Sequence, residues 1–538
     1  MHTYVLGVTL AAICWVIRSI YRLYFHPLAK YPGPKLAAIT GLWYCRHWVG
    51  GRWPHVVTDL HHKYGDVIRV APNELVFATA EASRDIYNRY QPGAEVQFQK
   101  DRQFYAPSGT ERSLIMEPDA ESHRHMRRGF DPGFNLVAVK QRSDIPLHHI
   151  DLLIQKLYRT GRRQEGENVA EFAFRLSFDI AVEMAFSKRI DTVSAEHQHE
   201  WLRLFRDNVK AASVAIALRR LPKPVTALID LLLGRLIRMA RRRYLDVVNT
   251  FVTERMEIHE LKSRRKQTGE QPHLEDWFSF VIELGKKDNE TKYFYPSQAS
   301  SLVVGGTEAI SQWTAAVLYY LTVNPDKSRI LQEEIRGAFT GPDGDRDIDF
   351  ESTKTLHYLV ATVEEGLRIY PPSAFGLPRV SPGAMVDGHH VPKGTVVQVP
   401  NFLLARSERY FSKSKEFHPE RWLPRDHALY SQEFASDRKE TSRPFSRGPR
   451  GCIAVNLSHH QMRYAILPDC HFFPCFMEPS TDMYAVLKKR CILAKIIWHF
   501  DLELACPKLD LYDHSAVHMV WAMPQNFMRF IPRIENST

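Results

Sequence analysis

A mostly α-helical protein with a small β part, carried as one large domain behind an apolar N-terminal helix, is what this sequence predicts. Three observations do so. Helical patterns dominate from about residue 140 to residue 340. Strand-like segments are few and short, and turn signals such as Asp387-Gly388 and Lys393-Gly394 bound them. An almost unbroken apolar run, Tyr4 to Ile17, opens the chain, and Ile20 to Phe25 extends it around Arg18 and Arg22.

The N-terminal run reads as a membrane anchor over residues 1–25. A spanning helix needs about 20 residues, a length reached here if both arginines snorkel toward headgroups. A cleaved signal peptide carries its positive charge before the apolar stretch; here Arg18, Arg22, Lys30 and Lys35 come after it. By the positive-inside rule the remainder stays cytosolic. Residues 26–39 form a Pro/Gly linker, His26-Pro27-Leu28 and then Tyr31-Pro32-Gly33-Pro34, whose prolines end the helix and stiffen the exit.

The domain follows from residue 40 to residue 538. Its 44% hydrophobic and 25% charged residues are those of a globular chain with a sizeable core, which excludes a disordered one. Val67 to Phe77 alternates around Pro72-Asn73, a hairpin pattern. Pro296 opens a long apolar helix that ends at Asn324-Pro325. A second helix runs from Pro325 to about Phe339, and a third from about Leu356 to Tyr370, stopped by Pro371-Pro372.

The net charge of +10 is uneven: Arg235, Arg238, Arg241, Arg242 and Arg243 cluster, and Arg264, Arg265 and Lys266 follow. A solvated helix face is the first reading of such a run. The sequence has no nucleic-acid-binding motif, so a basic surface points to lipid headgroups and an acidic redox partner. The seven cysteines (14, 45, 452, 470, 475, 491 and 506) are odd in number and lack a framework spacing, which fits a reducing compartment.

One cysteine stands apart. Pro444-Phe445-Ser446-Arg447-Gly448-Pro449-Arg450-Gly451-Cys452 is a tight, Gly-rich, Arg-bearing loop that ends on a thiol. A lone thiolate is a poor zinc site, but it suits the axial position of a haem iron. Phe-x-x-Gly-x-Arg-x-Cys, Phe445 to Cys452, resembles the haem-binding loop of the cytochrome P-450 monooxygenases. Glu365-x-x-Arg368 followed by Pro419-Glu420-Arg421 resembles that family's Glu-x-x-Arg helix and later arginine. The resemblance makes Glu365, Arg368 and Arg421 a structural triad. It makes Cys452 the iron ligand and gives Phe445, Gly448, Arg450, His123, Arg127 and Arg379 to the haem and its propionates.

In the long helix, Gly305-Gly306-Thr307-Glu308-Ala309-Ile310-Ser311 resembles the oxygen-activating segment, with Ala309 where the family has threonine. Two glycines inside a helix cost roughly 1 kcal/mol each, and close approach to a flat ligand is a reason to keep them. Glu308 is the candidate acid of a proton relay, with Thr307 and Ser311, one turn apart, as hydroxyl candidates. Ala454 replaces the glycine usual two residues past the cysteine.

A larger departure lies beyond. In the family the cysteine leads into one continuous helix. Here Cys452 to Arg463 begins it, and Cys491 to Phe500 reads as its continuation. Between them residues 464–490 hold Pro468, Pro474 and Pro479, which exclude a regular helix across the stretch. The segment reads as a translated retained intron or as a genuine surface insertion.

The resemblance implies the mostly helical P-450 fold around haem b, iron protoporphyrin IX. It implies insertion of one oxygen atom from O2 into a small organic substrate, by hydroxylation or epoxidation. Electrons would come from NADPH through a separate cytochrome P-450 reductase, since the chain has no dinucleotide fingerprint of its own. The place implied is the endoplasmic reticulum membrane, single-pass, with the catalytic domain cytosolic. The linker, Phe25-His26-Pro27-Leu28, looks like that of fungal secondary-metabolism members. Two other readings fit the same residues: a haem-thiolate enzyme that rearranges, dehydrates or couples without inserting oxygen, and a non-functional chain whose cysteine helix is interrupted.

Overall fold

The computed structural model describes residues 2–88, 97–105, 112–195, 200–266, 276–341, 343–455, 484–506, 508 and 510–533. Its main helices are α1 (His2–Ile20), α2 (Ala120–Phe130), α3 (Asp144–Thr160), α4 (Val169–Phe186), α5 (Glu200–Leu218), α6 (Lys223–Lys266), α7 (Trp277–Lys287), α8 (Phe294–Val323), α9 (Pro325–Ala338), α10 (His357–Ile369) and α11 (Tyr484–His499). The strands are short: β1 (Val67–Ala71), β2 (Glu74–Phe77), β3 (Gln99–Lys100), β4 (Glu167–Asn168), β5 (Arg379–Val380), β6 (Ala384–Val386), β7 (His389–Val391), β8 (Val396–Gln398), β9 (Phe500–Leu504), β10 (Ala516–His518), β11 (Val520–Ala522) and β12 (Phe527–Pro532).

α8 and α4 form the centre of the helical part and pack on each other along their length. Both are buried nearly all round, which is why neither shows a clean amphipathic stripe. Gly306 makes the close approach possible: a β-carbon there would stand 2.9 Å from Ala181 Cβ of α4. One of the two helical glycines is therefore explained by helix packing rather than by a ligand.

The main sheet has the order β1-β2-β8-β5-β3, and only β2 and β8 pair in parallel. β1 and β2 are the hairpin expected around Pro72-Asn73. Asp387 and Gly388 turn β6 into β7 with positive φ values of 46° and 74°. β5 matters most for function, because it sets Arg379 opposite Lys100 of β3.

α1 continues through a π-helical turn, Tyr21–Phe25. Val5–Phe25 is one helix long and apolar enough to cross a membrane, with mean hydropathy 1.5. Its apolar side chains are exposed, Ile17 at 62% and Phe25 at 71%, unlike those of a core helix. The linker is not a free spacer. Leu28 is fully buried, the Arg69 N–H donates to the Pro32 carbonyl at 2.8 Å, and a β-carbon at Gly33 would collide with the Arg69 carbonyl at 2.2 Å. In α6, Arg235, Arg238, Arg241, Arg242 and Arg243 are all exposed, as a solvated face requires.

Of the expected start of the cysteine helix, residues 452–455 are described and hold a 3-10 turn at Ile453–Val455; residues 456–463, and residues 464–483 of the interruption, lie outside the described residues. Its last part does not: residues 484–490 belong to α11, which begins earlier than the continuation expected at Cys491.

Candidate active site

A buried ionic cluster ties α10 to the segment that leads into the cysteine loop. Arg368 donates to both Glu365 oxygens, at 2.7 and 2.8 Å, and to the carbonyls of Ala405, Ser414 and Glu416. Arg421 approaches Glu365 at 3.2 Å and pairs with Asp437, an acid the sequence reading missed. The His418 N–H and the Trp422 indole N–H, each at 2.8 Å, complete the Glu365 shell. Burial opposes the Glu365 charge, yet Arg368 and Arg421 hold its carboxyl at about 2. Glu365, Arg368 and Arg421 are thus brought together as expected, fully buried and fully bonded.

The loop itself depends on two left-handed residues. Ser446 has φ 62° and Gly448 φ 71°, and a β-carbon at Gly448 would lie 2.1 Å from the Tyr87 carbonyl. Only glycine fits there. The Cys452 N–H donates back to the Phe445 carbonyl at 3.0 Å, closing the loop. Cys452 is an exposed residue. Burial raises its pKa, while the Ala454 N–H, Arg127 and Lys489 act the other way. Ala454 thus contributes a backbone donor to the sulfur.

Around this loop the structure gathers the basic residues that the sequence had scattered. Arg127 donates to the Gly451 carbonyl at 2.7 Å, and Arg450 to the Glu117 and Pro118 carbonyls at 2.7 Å each. Arg379 donates to the Tyr105 hydroxyl at 3.3 Å. His123 is buried among Arg450, Lys100, Arg127 and Arg379, and burial with those charges pushes its pKa down to about 2. Lys100 was missed. It is 7% exposed, donates to the Ile115 carbonyl at 2.6 Å, and has its pKa driven down by burial, then by Arg379 and Arg450. Nothing local marks this lysine; only the β3–β5 register places it against Arg379.

Facing cations without a carboxylate between them are costly. Among the described residues their nearest acids are weak partners: Asp131 is 3.9 Å from Arg127, and Glu117 is engaged by Arg112 at 3.1 Å. The donor set suits a dianion held beside a thiol.

The long helix supplies the other wall. Gly305 is exposed in the middle of an otherwise buried helix, and Ala309, one turn on, is half-buried. A β-carbon on Gly305 would meet only Ile115 Cδ1, at 3.9 Å. At about 100° per residue, Thr307 lies roughly 200° round from Gly305, on the far side. Thr307 is fully buried and its hydroxyl has no partner among the described residues. Ser311 is also buried, and its hydroxyl is spent on the Glu308 carbonyl at 3.0 Å. Glu308 is closer to the open face, 7% exposed, and burial raises its carboxyl pKa to about 7, against the downward pull of Gln312 and Arg206. The geometry separates the three relay candidates, and Glu308 alone stands beside the Gly305–Ala309 face.

The comparisons with known proteins decide the family. The model of the family described as Cytochrome P450 matches residues 32–468. The chain belongs to the cytochrome P450 family. It is 38% identical over 522 residues to a cytochrome P450 monooxygenase, btcC, of Neocamarosporium betae, covering 96% of this chain and 94% of that one. It is 33% identical over 513 residues to the monooxygenase BOA3 of Botryotinia fuckeliana, covering 95% and 93%. Averantin hydroxylase of Dothistroma septosporum is 32% identical over 539 residues, covering 99% and 92%. This cytochrome P450 is therefore a monooxygenase, and its family works with haem and with electrons from a reductase. The cationic cluster and the adjoining thiol are the donors such a group needs: two carboxylates to neutralise and one soft axial ligand to accept.

Proposed function

We propose that this cytochrome P450 inserts one oxygen atom from O2 into a small, largely apolar organic substrate of fungal secondary metabolism, by hydroxylation or epoxidation. One observation carries the reading: Arg127, a cation of the anion-binding cluster, is tied to the carbonyl of Gly451, next to the thiol of Cys452. Haem b, when bound, supplies oxygen activation. Cys452 holds its iron, and Arg127, Arg379, Arg450 and Lys100 neutralise its propionates, with neutral His123 as a further hydrogen-bond partner. Phe445 and Gly448 shape the loop around it. Leu302, Gly305, Ala309 and Ile115 give the substrate side apolar walls. Glu308 delivers protons; Thr307 and Ser311 face elsewhere. NADPH-derived electrons arrive through a separate reductase docking on the basic surface. The Val5–Phe25 helix ties the protein to the endoplasmic reticulum membrane, with its catalytic domain cytosolic.

Residues 464–490 fit a retained intron. The family match stops at residue 468, inside this stretch. α11 buries Lys488, Lys489 and Arg490 at 0–1% exposure, and burial lowers both lysines to about 7. Joining Arg463 directly to Cys491 puts Gln461, Met462 and Arg463 in those positions. Two buried lysines are thereby exchanged for an amide and a thioether, and the arginine is kept. Haem retention is expected to follow the shorter chain.

The test is a carbon-monoxide difference spectrum on membranes from cells expressing the chain with and without residues 464–490, together with sequencing of the transcript. The red-shifted band of thiolate–iron–carbonyl in the shorter chain supports the reading. Its absence from both, with protein present, sinks it. A full-length band as strong as that of the shorter chain, with the segment present in every transcript, removes the intron.

A further inference from the structure

Gln312 is a buried amide in the middle of α8, 4% exposed, where the helix is otherwise lined by Ile310, Trp313, Ala315 and Ala316. An unpaired amide there would cost on the order of 1–3 kcal/mol. It is not unpaired. Its Oε1 accepts the backbone N–H of Trp521 at 3.3 Å, and its Nε2 donates to Glu308 Oε2 at 2.9 Å. The Trp521 end is rigid: its indole N–H donates to the Pro371 carbonyl at 2.8 Å, and its ring stacks on Tyr370 at 4.5 Å. The backbone N–H also fixes which way the amide points, because only Oε1 can accept from it.

The position on the helix is the second observation. Gln312 lies about 340° round from Gly305, almost on the same line, and Glu308 lies about 60° to the same side. The clamp therefore acts beside the Gly305–Ala309 face. That face carries a methyl at Ala309, so it offers no hydroxyl to orient the acid.

We infer that Gln312 is a positioning residue: pinned by the Trp521 backbone, its amide holds the Glu308 carboxyl beside the Gly305–Ala309 face, doing the orienting that no side-chain hydroxyl does there. The inference rests on Glu308 being the proton-delivering group. Arg206 of α5 is the charged group whose field reaches Glu308, and Glu171 holds Arg206 at 2.7 Å. A donor aimed at the carboxylate favours its ionised form. Removing that donor should therefore make the carboxyl hold its proton more tightly.

The readout is the protonated-carboxyl band in infrared spectra of the full chain, titrated from pH 5 to pH 9. Glu308→Gln assigns it, and neither haem nor substrate is needed. Gln312→Met keeps length and volume without the donor; Gln312→Leu is the second variant should the first not fold. The expected result is an assigned band whose midpoint rises by about one pH unit or more, a tenfold change in proton affinity, in a variant that still melts cooperatively, at a lower temperature because the Trp521 N–H loses its acceptor. A wild-type band that titrates normally and keeps its midpoint in both variants overturns the Gln312 inference alone. A wild-type protein with no titrating band that Glu308→Gln removes overturns the role of Glu308, and the inference with it.

Discussion

The charge cluster around Glu365 and the cationic cluster beside the cysteine loop differ in one respect. In the first, Glu365 and Asp437 balance Arg368 and Arg421, every member is bonded, and exposure is 0–1%. In the second, Lys100, Arg127, Arg379 and Arg450 have carbonyls and a tyrosine hydroxyl as their main partners, and His123 is forced neutral. The first cluster is complete without any ligand and its task is geometry. The second is built for a negative charge that the described residues do not supply. Charge balance distinguishes a structural network from a binding one where burial does not.

Removing the sulfur should have the largest effect of any single change. In Cys452→Ser, made in the chain without residues 464–490, the thiolate–iron–carbonyl band is expected to vanish, and an undiminished band would break the account at its centre. Next is Glu365→Gln, which leaves two buried guanidiniums facing each other. Losing one partner of such a network costs about 3–5 kcal/mol, so urea midpoints should fall sharply or folded protein should not accumulate. A loss near 1 kcal/mol would mean that this cluster is not balanced after all.

Lys100→Met sharpens the contrast, because its two expected effects have opposite signs. Haem-free protein should gain about 1 kcal/mol or more as a buried like charge disappears. Haem dissociation from the chain without residues 464–490, followed by transfer to apomyoglobin, should quicken about tenfold as one charged partner of the propionates is lost. A loss of stability in the haem-free state would show that Lys100 belongs to a balanced network instead.

The pH dependence gives effects that are read as slopes. Glu365 is held at about 2 against an ordinary 4.5, a depressed carboxyl. Its stabilisation is therefore fully present above 4.5 and is lost as pH falls from 4.5 through about 2, by up to ~1.4 kcal/mol per pH unit. Lys489 is depressed to about 7 from 10.5, so the unfolded chain binds the extra proton between those values. Lys488 is depressed in the same way, so stability should rise with pH across that window by up to about twice that slope, and Lys489→Met should remove about half of it. Chemical denaturation at a series of pH values measures both.

Most of the fold was legible in the residues. The period-two hairpin at 67–77, the proline-bounded helices and the Asp387-Gly388 turn are local signals, and local backbone preferences decided them. Cys452, Glu365, Arg368 and Arg421 were legible because their spacing is a motif. The relay was only partly so. Thr307 and Ser311 share a face one turn apart, as read, but which face meets the open side follows from how α8 docks on α4, through Gly306 against Ala181.

What the sequence determined by itself is the set of elements and the loop that ends in a thiol, since turns, caps and apolar periodicity act over a few residues. What tertiary structure alone decided is which distant groups share a site. Lys100 meets Arg379 through strand register, Asp437 meets Arg421 through the path of a loop, and Gln312 meets Trp521 through the packing of a C-terminal strand on α8. Hydrogen bonds and charges act over a few ångströms of space, whatever the distance along the chain.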